Sequence, residues 1–267
     1  MGLDIEYKML VERALQSRYK VKSRNGYIRP LINEQLTINL GESIFGKEGS
    51  LFPILTTKKI FWKKAIAEFC WIFNGETNID FLHKYGIKWW DEWANLDNEI
   101  NYSYGHQVRS FNSRVDQIKY VERELEKEHS RRAHITLWNP SELPHQPLPC
   151  CYTGFDFYKF NGELHTVMNF RSSDIFLGLP YDIIVGAMFA YYFAHKQKLS
   201  LGKLHMSLSN AHLYVEHEEQ ARELLDRTGR YCKPKLIAKN WDGKLDPDDF
   251  EVTDYKSEPL IEAKMIC

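Results

Sequence analysis

The 267-residue chain is predicted to fold as one α/β domain of the α+β kind, a mixed twisted sheet flanked by helices, spanning residues 1–267. Three observations predict this. Segments with apolar residues at helical spacing are interleaved with short segments in which apolar and polar residues alternate, the two periodicities of helix and strand. Asn161-Gly162 lies between two strand-like runs, where it suits a two-residue hairpin turn. No internal repeat, low-complexity tract or Ser/Gly-rich linker marks a boundary between domains.

Taken in order, residues 5–19 place Met9, Leu10 and Ala14 at helical spacing. Leu36, Ile38 and Leu40 then alternate as a half-buried strand does. Residues 61–73 read as a buried helix, and 115–129 as an amphipathic one with Ile118, Val121 and Leu125 on its apolar side. A short strand follows at 133–138, then the hairpin of 153–160 and 164–170. Residues 182–198 are apolar on most sides, which predicts the central helix. A polar turn at 207–210 is expected to lead into a last helix over 211–225.

The hydrophobic share of 43% is ample for a buried core. Lys+Arg 35 against Asp+Glu 36 gives a formal net charge of -1. Without a global basic field, general binding to nucleic acid or to an anionic membrane is not expected, and any anion site must be local. The longest apolar run, 183–194, is too short to span a bilayer, and the N-terminus lacks the pattern of a signal peptide. The expectation is a soluble cytoplasmic protein.

Five cysteines, Cys70, Cys150, Cys151, Cys232 and Cys267, make an odd set without CxxC or zinc spacing, so neither a disulfide scaffold nor a metal site is expected. Cys70 falls inside an apolar helical pattern and reads as core. Cys150-Cys151 follows Pro147-Leu148-Pro149, where a packed turn can present a thiol. Arginines occur at Arg24, at Arg131-Arg132 and beside a hydroxyl at Arg171-Ser172. Each alone is compatible with a solvated surface; together they suit a phosphate monoester, which guanidinium binds with paired donors. Trp89-Trp90-Asp91-Glu92-Trp93 is either an aromatic core corner or a wall for a flat heterocycle with amine donors.

Longer motifs add a resemblance. Leu148-Pro149-Cys150-Cys151, the hairpin, and Arg171-Ser172-Ser173-Asp174-Ile175-Phe176-Leu177-Gly178-Leu179-Pro180-Tyr181-Asp182 resemble thymidylate synthase and its pyrimidine hydroxymethylase relatives. So do Phe52-Pro53-Ile54-Leu55-Thr56-Thr57-Lys58-Lys59, Trp71-Ile72-Phe73-Asn74-Gly75-Glu76-Thr77-Asn78-Ile79, Trp90-Asp91-Glu92-Trp93, Tyr104-Gly105, Ser130-Arg131-Arg132 and Ala211-His212-Leu213-Tyr214. These matches run in order from about Arg24 to the C-terminus.

The resemblance implies that Cys151 is the nucleophile, with Cys150 standing where the family usually has proline. It implies that Arg24, Arg171 and Ser172 hold the nucleotide phosphate, joined by Arg131 and Arg132 from a second subunit, hence a homodimer. His212 and Tyr214 fall where the family binds the sugar 3'-hydroxyl, and Glu68 where it organises proton transfer. Trp90, Trp93, Asp174, Leu177, Gly178 and Tyr181 match positions at the folate, 5,10-methylenetetrahydrofolate, and the end, 263–267 with Met265, resembles the tail that closes over it. Asp174 is counted with the nucleotide site as well.

The residue types suit this chemistry on their own terms. C5 of a pyrimidine is a poor carbon nucleophile until a thiolate adds at C6 and turns the ring into an enol or enamine. Arginine beside the cysteine both holds phosphate and lowers the thiol pKa, and a buried carboxylate such as Glu68 can move protons.

One departure bears on the substrate. Asp182 stands where thymidylate synthases carry the asparagine that reads the base edge. Uracil offers an N3–H donor and an O4 acceptor, which a carboxamide matches; cytosine offers an N3 acceptor and an N4 amine, which a protonated carboxyl matches. An unperturbed Asp has a pKa of about 3.9, so the proton must be shared with the base or retained by burial. The deoxycytidylate hydroxymethylases of the family also carry aspartate here. Tyr152 stands where the family has histidine after the nucleophile, and Phe61 likewise replaces a family histidine.

The expected activity is therefore 5-hydroxymethylation of dCMP, a reaction that would suit a DNA virus modifying its cytosine inside a host cytoplasm. The near variant is a dCMP methyltransferase that forms dihydrofolate. Thymidylate synthesis on dUMP and an inactive nucleotide- or RNA-binding homologue are the remaining alternatives, and CMP stays open as a ribonucleotide substrate.

Overall fold

The computed structural model describes residues 2–41 and 49–266. The elements in chain order are α1 (Leu3–Gln16), β1 (Val21–Lys22), β2 (Tyr27–Asn39), β3 (Ser50–Leu51), α2 (Trp62–Asn74), α3 (Asp80–His83), α4 (Tyr104–Ser110) and α5 (Gln117–Glu126). They continue with β4 (His134–Thr136), β5 (Tyr152–Phe160), β6 (Glu163–Phe170), β7 (Ser173–Asp174), α6 (Leu179–Gln197), β8 (Ser200–Tyr214), α7 (Glu218–Asp226), β9 (Lys235–Ala238) and β10 (Phe250–Thr253). Cys267, the last residue of the expected tail, lies outside the described residues.

The predicted mixed sheet is present. Its strands run in the order β1-β2-β8-β6-β5-β4, with β7 also paired to β8, and a second sheet runs β10-β9-β3. β8 pairs antiparallel with β2 and parallel with β6 and β7. The parallel step between β6 and β8 needs a crossover, and α6 supplies it. The hairpin of β5 and β6 turns where expected, with Asn161 at φ 49 and Gly162 at φ 79, the left-handed pair that this turn demands.

Packing follows the strand alternation. Leu36, Ile38, Leu164, Met168, Leu204 and Met206 are buried on one face. The other face is polar: Thr37 meets His205 at 3.2 Å, and Asp156 accepts from Asn169 at 2.9 Å and pairs with His134 at 2.8 Å. α6 packs against α2, α5, β6 and β8. Every residue from Ile183 to Ala194 is buried, which explains its lack of a polar side. The buried side chains form one continuous cluster.

Two expectations are corrected. Residues 207–210 are not a turn, and no helix spans 211–225. Ser207 and Asn210 lie within β8, paired with Gln35 and Ile32 of β2, and the helical part is only α7, after a short 3-10 turn at Val215–His217. Ser207 and Ser209 lie on the strand's polar outer face, while Asn210 lies on the opposite face with His212, so together these residues imitate a turn. β2 is also far longer than Leu36 to Leu40 suggested. It begins at Tyr27 and passes Pro30, which lies beyond the two-residue pairing with β1. No helix of the described residues is long and apolar enough to cross a membrane.

Candidate active site

The end of the β5–β6 hairpin opposite its turn builds the centre of the site. Tyr152 pairs with Phe170, so Cys151 and Arg171 emerge side by side although twenty residues separate them in sequence. The backbone N–H of Arg171 donates to the Cys151 carbonyl at 3.0 Å. Arg171 also donates from Nε to the Cys150 carbonyl at 2.8 Å and from Nη2 to the Pro149 carbonyl at 2.6 Å. These bonds lock the Pro-Cys-Cys segment against the guanidinium. Of the two adjacent cysteines, Cys150 is buried in the core while Cys151 is half-buried and lines the cavity.

β7 brings in the next group through register. Asp174 pairs with His212, and Ile28 with Tyr214, so three residues far apart in sequence meet at one end of β8. Asp174 Oδ1 accepts the N–H groups of Phe176 at 2.9 Å and Leu177 at 3.2 Å, folding the loop back towards α6. Gly178 caps α6 where a Cβ would sit 3.2 Å from the Asp174 carbonyl. Asp182 follows in the first turn of that helix and faces the cavity.

α2 contributes Glu68. Trp89 Nε1 and Trp90 Nε1 both donate to its Oε1, at 2.9 and 2.6 Å. Tyr104 opens α4, and its hydroxyl accepts the backbone N–H of Cys151 at 2.5 Å. α4 approaches α2 closely enough for this because residue 105 is glycine; a Cβ there would lie 2.5 Å from the Glu76 carbonyl.

All these elements surround one cavity of about 900 Å³. Around it stand Cys151, Glu68, Asp182, Arg24, Arg171, Ser172 and Asp174, then His212 and Tyr214, and on the aromatic side Trp90, Trp93, Leu177, Gly178, Tyr181 and Met265. Every predicted site residue but two is thus gathered in one place. Arg131 and Arg132 are exposed in the turn before β4 and do not line the cavity within one chain. The tail contributes Ala263, Met265 and Ile266, and His217 Nε2 meets the Lys264 carbonyl at 2.8 Å to hold it there.

Sequence reasoning assigned no role to Tyr104, Ser173 or Asn210 and placed Trp89 only as part of an aromatic wall, although all four line the same cavity. The Tyr104-Gly105 pair carried a usable signal, since a glycine inside a helix marks a close backbone approach. Ser173 lines the cavity beside Ser172, with its Oγ buried and without a hydrogen-bond partner among the described residues.

The electrostatics run in opposed directions. Burial pushes the Cys151 thiol up, while Arg171 and a hydrogen bond from Tyr104 pull it down, and Asp182 raises it again. Burial raises Asp182 well above the usual carboxylate range, reinforced by Glu68 and Asp174. Glu68 is raised by burial and lowered by the bonds from Trp89 and then Trp90. His212 is lowered by burial against the pull of Asp174, which favours a neutral ring. Such opposing shifts within one cavity mark a site for acid–base and nucleophilic chemistry. Among the described residues, no group of three or more His, Cys, Asp or Glu side chains is arranged to hold a metal ion.

A mixed α/β fold with a thiol, three carboxyls and guanidinium groups around one aromatic-walled cavity defines a nucleotide-modifying transferase. The family model for thymidylate synthase matches residues 5–267, and the chain belongs to the thymidylate synthase family. Membership makes it a folate-dependent transferase acting at C5 of a pyrimidine nucleotide, in a family whose one-carbon donor is methylenetetrahydrofolate.

Proposed function

We propose that this protein is a deoxycytidylate 5-hydroxymethyltransferase that converts dCMP to 5-hydroxymethyl-dCMP and works as a homodimer. The observation that carries the base assignment is Asp182: its carboxyl faces the cavity beside Cys151 and is held towards its neutral form by burial and by two neighbouring acids. A neutral carboxyl donates to N3 of cytosine and accepts from its N4 amine. Once the proton passes to N3, the carboxylate accepts from both N3–H and the N4 amine, a pair of donors that uracil, with its O4 acceptor, cannot present.

Arg24, Arg171 and Ser172 supply donors for a phosphate, and Arg131 and Arg132 of the partner subunit complete the set. His212 and Tyr214 receive the sugar. The aromatic wall of Trp90, Trp93, Leu177 and Tyr181, over Asp174 and Gly178, has the breadth and apolar character for a pteridine, and Met265 covers it. Bound there, methylenetetrahydrofolate would supply a one-carbon unit at the oxidation level of formaldehyde.

The reaction proceeds through the chain's own groups. Cys151 Sγ, as thiolate, adds to C6, and Asp182 neutralises the negative charge that reaches the N3 side of the ring. C5 forms its bond to the one-carbon unit, whose bond to the folate nitrogen would break with the electron pair remaining on the departing tetrahydrofolate. Glu68 assists removal of the C5 proton through ordered water. Once the new carbon stands as an exocyclic methylene, water adds to it as the Cys151–C6 bond breaks, leaving hydroxymethyl at C5 and freeing the thiolate.

The test mixes the protein with methylenetetrahydrofolate and with dCMP or dUMP tritiated at C5. Tritium should be released from dCMP without dihydrofolate formation, and Cys151→Ser should abolish release. Dihydrofolate accumulating with dCMP would replace hydroxymethylation by methylation; release from dUMP alone would overturn the base assignment.

A further inference from the structure

Two indole donors converge on one oxygen of Glu68. Trp89 Nε1 reaches Oε1 at 2.9 Å and Trp90 Nε1 reaches it at 2.6 Å, while among the described residues no protein donor reaches Oε2. An indole N–H donates and cannot accept, so an oxygen holding two of them has no place for a proton of its own. Protonation of this carboxyl is thereby directed to Oε2.

Both rings are held in place. Trp90 packs against Trp71 at 5.5 Å, Tyr104 at 5.8 Å and Trp93 at 6.2 Å. Trp89 is half-buried and meets Tyr181 edge-on at 5.5 Å and 62°, with Lys64 Nζ 5.9 Å from its ring. Tyr181 belongs to the first turn of α6, one residue before Asp182. Trp89 therefore links the helix that carries one cavity carboxyl to the side chain that carries the other.

We propose that Trp89 is a positioning residue which, together with Trp90, reserves Oε2 of Glu68 as the single proton-exchanging oxygen of that side chain. The proposal rests on the reading of Glu68 as the proton-transfer group at C5. Its physical content is independent of that reading: a donor-only clamp favours the charged carboxyl, opposes the effect of burial and removes one of two protonation sites.

The experiment replaces the donor and keeps the ring, with Trp89→Phe and, as an isostere lacking only the N–H, β-(3-benzothienyl)alanine at position 89. Glu68 is titrated by carboxyl carbon resonances in the ligand-free protein, assigned with Glu68→Gln, and tritium release from C5 is followed against pH. The Glu68 midpoint should rise by about one pH unit, tenfold in its protonation equilibrium. The matching limb of the release profile should move with it, while KM for the nucleotide changes by less than about twofold, as expected for a group acting through another. An unmoved midpoint in both variants overturns the role of Trp89. A moved midpoint with an unchanged release profile overturns the reading of Glu68, and with it the catalytic consequence drawn here.

Discussion

The hydroxyl of Tyr104 accepts the backbone N–H of Cys151 at 2.5 Å and pulls its thiol pKa down against burial, so one phenol bears on both the position and the ionisation of the sulfur. Tyr104→Phe removes both effects. The expected outcome is a rise in the pH at which Cys151 becomes alkylated by iodoacetamide. Tritium release from C5 should fall by roughly 10- to 100-fold, the range for losing one hydrogen bond to a charged group. Unchanged alkylation would remove Tyr104 from thiol activation.

Asp182 is costly to the fold as well as useful to the site. Its native-state pKa is raised, so folding favours the protonated form. The stability this contributes is present below the unfolded value of about 3.9 and is lost as pH rises through the native value. Asp182→Asn should therefore be more stable than the parent at pH 7, on the order of 1–2 kcal/mol or several degrees in Tm, and the difference should vanish in acid. The same variant should shift tritium release from dCMP towards dUMP. Thermal melts across pH together with the two labelled nucleotides check both halves.

Arg131 and Arg132 are exposed and outside the cavity of their own chain. Mixing an inactive Cys151→Ser protein with an inactive Arg131→Ala/Arg132→Ala protein should restore activity through hybrid dimers. With random pairing, about one site in four is intact, because a two-fold dimer exchanges the same residues in both directions. Absence of recovery, with hybrids demonstrated by tagged purification, would rule out donation across an interface.

Gly105 is predicted to be intolerant. A Cβ at this position meets backbone atoms of Gly75 and Glu76 at 2.5 to 3.2 Å, and backbone cannot swing aside as a side chain does. Gly105→Ala should cost about 3 kcal/mol or more by overpacking. It should also weaken Cys151 alkylation by displacing the neighbouring Tyr104. Chemical denaturation and the alkylation rate test the two effects.

How much of this was legible depended on the range of each interaction. The hairpin was readable because Asn161 and Gly162 declare a left-handed turn locally. The inside of β8 was not, since Ser207 is polar for the sake of the sheet's outer face and Asn210 for the cavity on the other, and only pairing with β2 identifies them as strand. Family motifs located most cavity residues, whereas their adjacency comes from register, as with Asp174 opposite His212. The bonds of Tyr104 and Trp89 were not readable because their partners, Cys151 and Glu68, lie 47 and 21 residues away. Hydrogen bonds of that span leave no periodic trace.

The helix that begins at Leu179 has a divided economy. From Ile183 to Ala194 it is sealed within the protein, while Tyr181 and Asp182 just before that stretch line the cavity. On the proposed reading of Asp182, nucleobase preference rests on a position just outside that sealed stretch, and a single codon change there exchanges one pyrimidine for another without rebuilding the scaffold.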